Sequence, residues 1–296
     1  MYTDIYGRKW YKGNLHTHTL LSDGKISFDE AVSRYRYAGY DFLSVTDHWV
    51  PSKTVTEDNF LLLSGCEYDT HYFEMHGDCK RKVTIHIVGI SFTTLPKLEK
   101  SPDLRGQEII DAIKAANGIA FFAHPEWSRN LPADIEKLRN LSGVEIFNTE
   151  CGINEEHYEY SGFHVDQLAL VGMNLPVLAT DDVHQYKGEE CKSFIMVQTD
   201  ELSRESILDA INKGRFYASQ GPWIQTEQKG RTLKVTCTPV YEIRIFSNSC
   251  HSLSRRGKSL ITGAEFKLPE SDYYYRVEVT DKDGNCAWTS PEKVAD

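Results

Sequence analysis

Six short apolar runs, each ending on or enclosing a polar side chain, constrain this chain more than any other feature. They are YDFLSVTDH (40–48), NFLLLSGCE (59–67), VTIHIVGI (83–90), GIAFFAHPE (118–126), GVEIFNTE (143–150) and LPVLATDDVH (175–184). Continuous apolar runs of this length suit strands buried on both faces, as in a parallel sheet. Helical patterns lie between them. Ser27 and Glu30 form an S-x-x-E capping box ahead of AVSRYRYAG, which closes on Gly39. RGQEIIDAIKAANG sets Ile109, Ile110, Ile113 and Ala116 on one face. PADIEKLRNLSG opens on Pro132, and SRESILDAINKG stops at Gly214. Strand and helix alternate over about two hundred residues, which predicts a βα barrel or an open α/β sheet.

The pattern changes after FYASQGPW (216–223). TLKVTCTPV, YEIRIFSN and YYYRVEVTDKDGNCAW alternate with period two, and Asp283-Gly284 marks a hairpin turn. This predicts a small all-β, sandwich-like domain over 223–296, appended to an α/β unit over 1–222. A length of 296 residues accommodates both.

Charge and cysteine usage narrow the function. A net charge of -10 argues against a protein that holds long nucleic acid by neutralising phosphates, but leaves room for a small anionic substrate beside a metal. The seven cysteines are scattered with no C-x-x-C pair, so neither a disulfide framework nor a zinc knuckle is expected. No apolar run approaches the ~18 residues that span a membrane. The first residues lack the layout of a secretory signal, which makes a cytoplasmic location the expectation.

The polar residues at the strand ends carry the chemistry. Residues two apart on a strand share a face, so His16 and His18 project together. A lone H-x-H is more often a polar strand end, but the pattern returns as Asp182-Val183-His184. In a parallel barrel the carboxyl ends of the strands converge on one face. Collecting the residues there gives His16, His18, Asp23, His48, Glu67, His86, His124, Asp182 and His184, which include six of the eleven histidines. Sorting of this kind points to a metal centre.

The segments NLHTHTLLSDG, SVTDH, AHP and DDVH, in that order, resemble the PHP (polymerase and histidinol phosphatase) family across roughly residues 10 to 222. GRFYASQGPWI and DKDGNCAWTSP look like the tail of a branch with a C-terminal β-sandwich, similar to carbaryl hydrolase. The resemblance implies a distorted (β/α)7 barrel holding up to three divalent metals. It implies that His16, His18 and Asp182 bind one metal, that Glu67 bridges it to a second held by His86 and His124, and that Asp23, His48 and His184 bind a third. His76 is an alternative to His86. Asp181 competes with Asp182, but only Asp182 keeps the D-x-H spacing.

Nine His, Asp and Glu ligands without thiolates suit two or three ions of Zn²⁺, Mn²⁺ or Fe²⁺. The expected reaction is hydrolysis of a small phosphomonoester or phosphodiester by a metal-bridging hydroxide. The leaving group would be protonated from metal-bound water, Asp23 or His184. Arg129 and Arg215 are candidate phosphate anchors, each weighed against a plain surface arginine. Trp49 and Trp127 could wall the pocket, Asn148 could support a ligand, and Lys25 reads as solvated. Hydrolysis of a carbamate, ester or amide is the alternative chemistry, and a non-catalytic binding module with structural metals is the alternative class. The expected partner is a small anionic molecule; no membrane is involved, and self-association remains open.

Overall fold

The computed structural model describes residues 1–4, 6–57, 59–155 and 157–295, with the side chains of 57, 76, 154 and 155 left aside. The strands in chain order are β1 (Tyr2–Thr3), β2 (Lys9–Asn14), β3 (Phe42–Ser44), β4 (Val55–Glu57), β5 (Phe60–Leu63), β6 (Gly65–His76), β7 (Cys79–Ile90), β8 (Ile119–Phe122) and β9 (Gly143–Asn148). They continue with β10 (Val177–Thr180), β11 (Phe194–Gln198), β12 (Phe216–Ser219), β13 (Ile224–Lys229), β14 (Thr232–Ser247), β15 (Leu253–Lys267), β16 (Tyr274–Thr280), β17 (Cys286–Trp288) and β18 (Glu292–Lys293). The helices are α1 (Phe28–Tyr37), α2 (Gly106–Ala115), α3 (Pro132–Glu136), α4 (Gly162–Leu170) and α5 (Arg204–Asn212).

Local signals explain the helices. Ser27 caps α1 by accepting the Glu30 N–H at 3.3 Å. The reciprocal half of that box is diverted, because the Glu30 carboxylate takes Arg34 one turn on, at 2.8 Å. Ile109, Ile110 and Ile113 bury one face of α2. Helix α4 was not read from the sequence, although Val165, Leu168 and Ala169 follow its buried stripe.

The strands form two sheets rather than one parallel array. A 13-stranded sheet has the path β13-β14-β16-β17-β12-β11-β2-β3-β5-β4, and a five-stranded sheet runs β10-β9-β8-β7-β6. Pairing is parallel across β2–β3–β5 and β8–β9–β10. It is antiparallel where β11 meets β2 and β12, and where β7 meets β6 and β8. The apolar runs that suggest parallel strands thus lie in sheets of mixed pairing. Only Gly77 and Asp78 separate β6 from β7, a connection that can join antiparallel strands alone. Gly77 supplies the left-handed φ of +59° that this turn needs.

Among the described residues beyond 222, the regular elements are strands alone. They continue the large sheet, because β17 pairs with both β16 and β12. One apolar cluster holds Trp10, Ala31 and Tyr35 together with Ile224, Leu233 and Val277. Trp288 stacks on Phe147 at 5.4 Å, worth about 0.5–1.5 kcal/mol beyond burial. Among the described residues, no helix is long and apolar enough to cross a membrane.

Candidate metal centre

The H-x-H and D-x-H segments leave the ends of β2 and β10 side by side. The His18 N–H donates to the Val183 carbonyl at 3.1 Å, and the Asp182 N–H to the His16 carbonyl at 2.9 Å. Thr46 N–H reaches Thr17 O at 2.8 Å, and Glu67 N–H reaches Thr46 O at 3.0 Å, which draws the start of β6 alongside. Asp47 pins the loop between: it accepts Thr19 N–H and Oγ1 at 2.7 and 2.6 Å and the Ser22 hydroxyl at 2.7 Å.

All nine sequence-derived residues meet, in three overlapping groups. The first joins His16, His18, Glu67 and Asp182, all buried. Both histidine Nε2 atoms lie 3.0 Å from Asp182 Oδ1, and 3.1 and 3.2 Å from Glu67 Oε2. The second joins Glu67, His86 and His124 through the other carboxylate oxygen, with His86 Nδ1 at 2.7 Å and His124 Nε2 at 3.4 Å from Oε1. The third joins His18, Asp23, His48 and His184, with His184 Nε2 3.4 Å from Asp23. The His76 side chain, the alternative to His86, lies outside the described residues.

These atoms fit divalent ions. His16 Nε2, His18 Nε2, His48 Nδ1 and Asp182 Oδ1 are buried, and none makes a hydrogen bond of acceptable geometry. Leaving such groups unsatisfied costs about 1–3 kcal/mol each. Four ligands about 2.0 Å from a tetrahedral ion stand about 3.3 Å apart, close to the spacing in the first group. Partners behind the rings set the donor atoms. The His184 Nδ1–H donates to the Asp182 carbonyl at 2.7 Å, and His124 Nδ1 bonds Ser128 Oγ at 3.1 Å, so each Nε2 faces the cluster. Burial opposes charge on Asp182 and Glu67, and the facing histidines overcome it, holding both carboxylates well below their usual range. Burial likewise opposes a cationic His18, yet Asp182 and Glu67 lift its pKa to about 9. The cluster calls for positive charge at its centre. His124 and Asp182 sit at φ of 27° and 53°, a left-handed strain of about 1–3 kcal/mol each for non-glycine residues.

A cavity of about 440 Å³ opens over the cluster. Seven of the nine residues line it, while His16 and His18 lie beneath with no exposure. Lys25, Trp127, Glu150, Cys151 and Gln185 complete the wall. Trp127 stands edge-on to His124 at 5.0 Å. Trp49 instead turns its Nε1–H to Asp69 at 2.7 Å and packs on Tyr68.

Neither candidate arginine anchor lines the cavity. Arg129 pairs with Glu126 at 3.2 Å and lies over Tyr158, and Arg215 pairs with Asp209 at 2.8 Å. Lys25, read as solvated, is exposed but lines the mouth. Asp181 turns away from the cluster to accept Tyr35, Thr149 and three backbone N–H groups, and burial pushes its pKa up to about 6. Asn148 Nδ2 reaches Asp182 Oδ2 at 3.1 Å. Burial pushes the Cys66 thiol up to about 12, unsuited to metal ligation. Glu145 was missed altogether; it accepts the His16 Nδ1–H at 2.7 Å. A lone glutamate inside the apolar strand GVEIFN was the available signal.

Gly24 holds the Asp23 turn against this cluster. A Cβ there would stand 2.6 Å from the His18 carbonyl and the Thr19 nitrogen. Gly24→Ala is expected to displace Asp23, lower turnover about 10–100-fold and reduce the ion count, as read by kinetics and elemental analysis.

Fold and cluster together define a mixed α/β protein with a candidate multinuclear metal centre. The fold is that of a two-domain protein of Bacteroides vulgatus containing a predicted PHP-like metal-dependent phosphoesterase: TM-score 0.51, 16% identity, 99% of this chain and 98% of that one. A putative metal-dependent phosphoesterase of Bifidobacterium adolescentis aligns at TM-score 0.39, 16% identity, over 58% of this chain and 87% of that one. An amidohydrolase of Chromobacterium violaceum aligns at 0.41, 15% identity, over 69% and 96%. No family model and no curated protein matches the sequence. The PHP resemblance in the motifs thus has a counterpart in the fold.

Proposed function

We propose that the protein is a metal-dependent hydrolase of small phosphoesters. The observation that carries this reading is the set of buried, unpartnered ligand atoms under an open polar cavity. His16, His18, Glu67 and Asp182 would hold one ion, and Glu67, His86 and His124 a second, with Zn²⁺, Mn²⁺ or Fe²⁺ suited to the donors. Such ions make hydroxide available near neutral pH and neutralise phosphoryl oxygens. His18, Asp23, His48 and His184 would take a third ion, or leave Asp23 and His184 to handle protons. Asp23 is held far below its usual pKa against burial by His184, while Asp23 raises His184 against burial. His184 Nε2 stands 3.4 Å from Asp23 at the cavity wall, which makes the pair the candidate donor to a leaving group.

We take the five-stranded sheet and the part of the larger sheet that lies before residue 222 as walls of one distorted (β/α)7-type barrel over 1–222, with 223–296 as its all-β companion. Support comes from the parallel bridges Thr17–Val183 and His48–Glu67, which join the strand ends around the cluster.

Lys25 is the one lysine or arginine among the described residues lining the cavity, and its ammonium has no partner among them. Its backbone N–H is fixed to the His184 carbonyl at 2.9 Å. A substrate phosphate would meet it at the rim. Lys25→Met is expected to raise KM for a phosphomonoester about 10–100-fold, the worth of a charge-assisted hydrogen bond, and to leave a neutral carboxyl ester unaffected. Trp127 favours a second reading, hydrolysis of a carbamate or ester with an apolar group. Metal-stripped protein given Mn²⁺ or Zn²⁺ and offered a phosphomonoester, a phosphodiester and a carboxyl ester decides between them. No metal-restored turnover on any would overturn both.

A further inference from the structure

We propose that Glu145 is the positioning residue of the metal centre, tying together ligands of two ion sites; this rests on the centre described above. Glu145 lies within β9 at 2% exposure, and a carboxylate so buried persists only with full compensation. Four donors provide it. Oε1 accepts His16 Nδ1–H at 2.7 Å and the Thr180 hydroxyl at 2.8 Å. Oε2 accepts the His124 backbone N–H and Asn148 Nδ2, both at 2.9 Å.

Each bond has a consequence for a ligand. Taking the Nδ1 proton fixes the His16 tautomer and directs the Nε2 lone pair at Glu67 and Asp182. A carboxylate behind a ligating imidazole also makes that ring a stronger donor. Holding the His124 N–H steadies a residue whose φ of 27° is otherwise unfavourable. Asn148 passes the restraint on, because its Nδ2 also reaches Asp182 Oδ2 and leaves Oδ1 facing His16 and His18. With both oxygens saturated by donors, Glu145 acts through its neighbours and not as a ligand.

Glu145→Gln tests this, because an amide –NH₂ must then face either the His124 N–H and Asn148 Nδ2, or the His16 ring nitrogen, whose tautomer it would reverse. Wild type and variant are stripped of metal, titrated with Zn²⁺ or Mn²⁺ against a chromophoric chelator, and melted with and without the ion. The expected result is a loss of about 10–100-fold in affinity at the tightest site, with far-UV circular dichroism unchanged and a smaller metal-induced rise in Tm. Glu145→Asp, which keeps the charge but retracts it from His16, should fall between; it carries the test if the glutamine variant does not fold. Wild-type affinity in the variants, or an equal fall in Tm with and without metal at unchanged affinity, overturns the proposal. A wild-type protein that takes up no ion overturns the centre itself, and the role of Glu145 with it.

Discussion

A chain carrying His16→Ala together with Asp182→Ala is expected to lose metal-restored hydrolysis outright while keeping its fold. The two substitutions remove half of the first donor group and leave Glu67 Oε2 facing His18 and His48. Two remaining donors do not hold an ion at working concentrations, and the ion's share of the barrier goes with it. That share is several kcal/mol, so kcat/KM should fall by at least about 10³-fold. The fold survives because a crowded, uncompensated ionic cluster is not a source of stability. Glu145 keeps its Thr180, His124 and Asn148 donors when His16 is removed. Turnover with Mn²⁺, ion content and circular dichroism read the three parts separately. Full activity in the double variant would sink the metal-centre reading.

The largest expected effect on stability lies where the C-terminal strands meet α4. Arg276 is fully buried on β16, and its guanidinium grips Asp166 of α4 through two bonds of 2.6 and 2.7 Å. Tyr160 at 3.3 Å, the Glu278 carboxylate at 3.6 Å and the Phe246 ring at 3.9 Å complete its surroundings. Asp166→Ala leaves a buried cation without its main counter-charge, a loss of about 3–5 kcal/mol. In a chain of this size that lowers Tm by roughly 10 °C. Arg276→Met removes the charge as well, fills similar volume and leaves a carboxylate that water can reach, so its cost should be smaller. Thermal melts of both variants check the order; an equal or reversed order would show that the charge is not what matters.

What could be read from the sequence was local. His16 with His18, and Asp182 with His184, were legible because a period of two on a strand end admits one geometry. The ends of β8 and β10 were legible because their apolar runs stop just before ligand-type side chains. Register was not legible. Nothing in NFLLLSGCE says that β5 stops at Leu63 and that Gly65 opens a hairpin, since that depends on partners far along the chain. Glu145 escaped for a related reason: its donors come from positions 16, 124, 148 and 180, which only the folded chain gathers. Arg129 and Arg215 lie off the cavity wall, paired with neighbouring acids, Glu126 and Asp209, which the sequence alone does not show.

The unbroken path from β13 to β2 also orders events during synthesis. Strand β12 has β11 on one side, and its other neighbour is β17, built from Cys286–Trp288 at the far end of the chain. Until those residues leave the ribosome, Ala218 and Ser219 present bare backbone, and the seat of Trp288 against Phe147 stands open. Non-local strand pairing is the slow part of folding, and an open edge is where chains pair wrongly. Pairing with β17 is what closes this edge of β12.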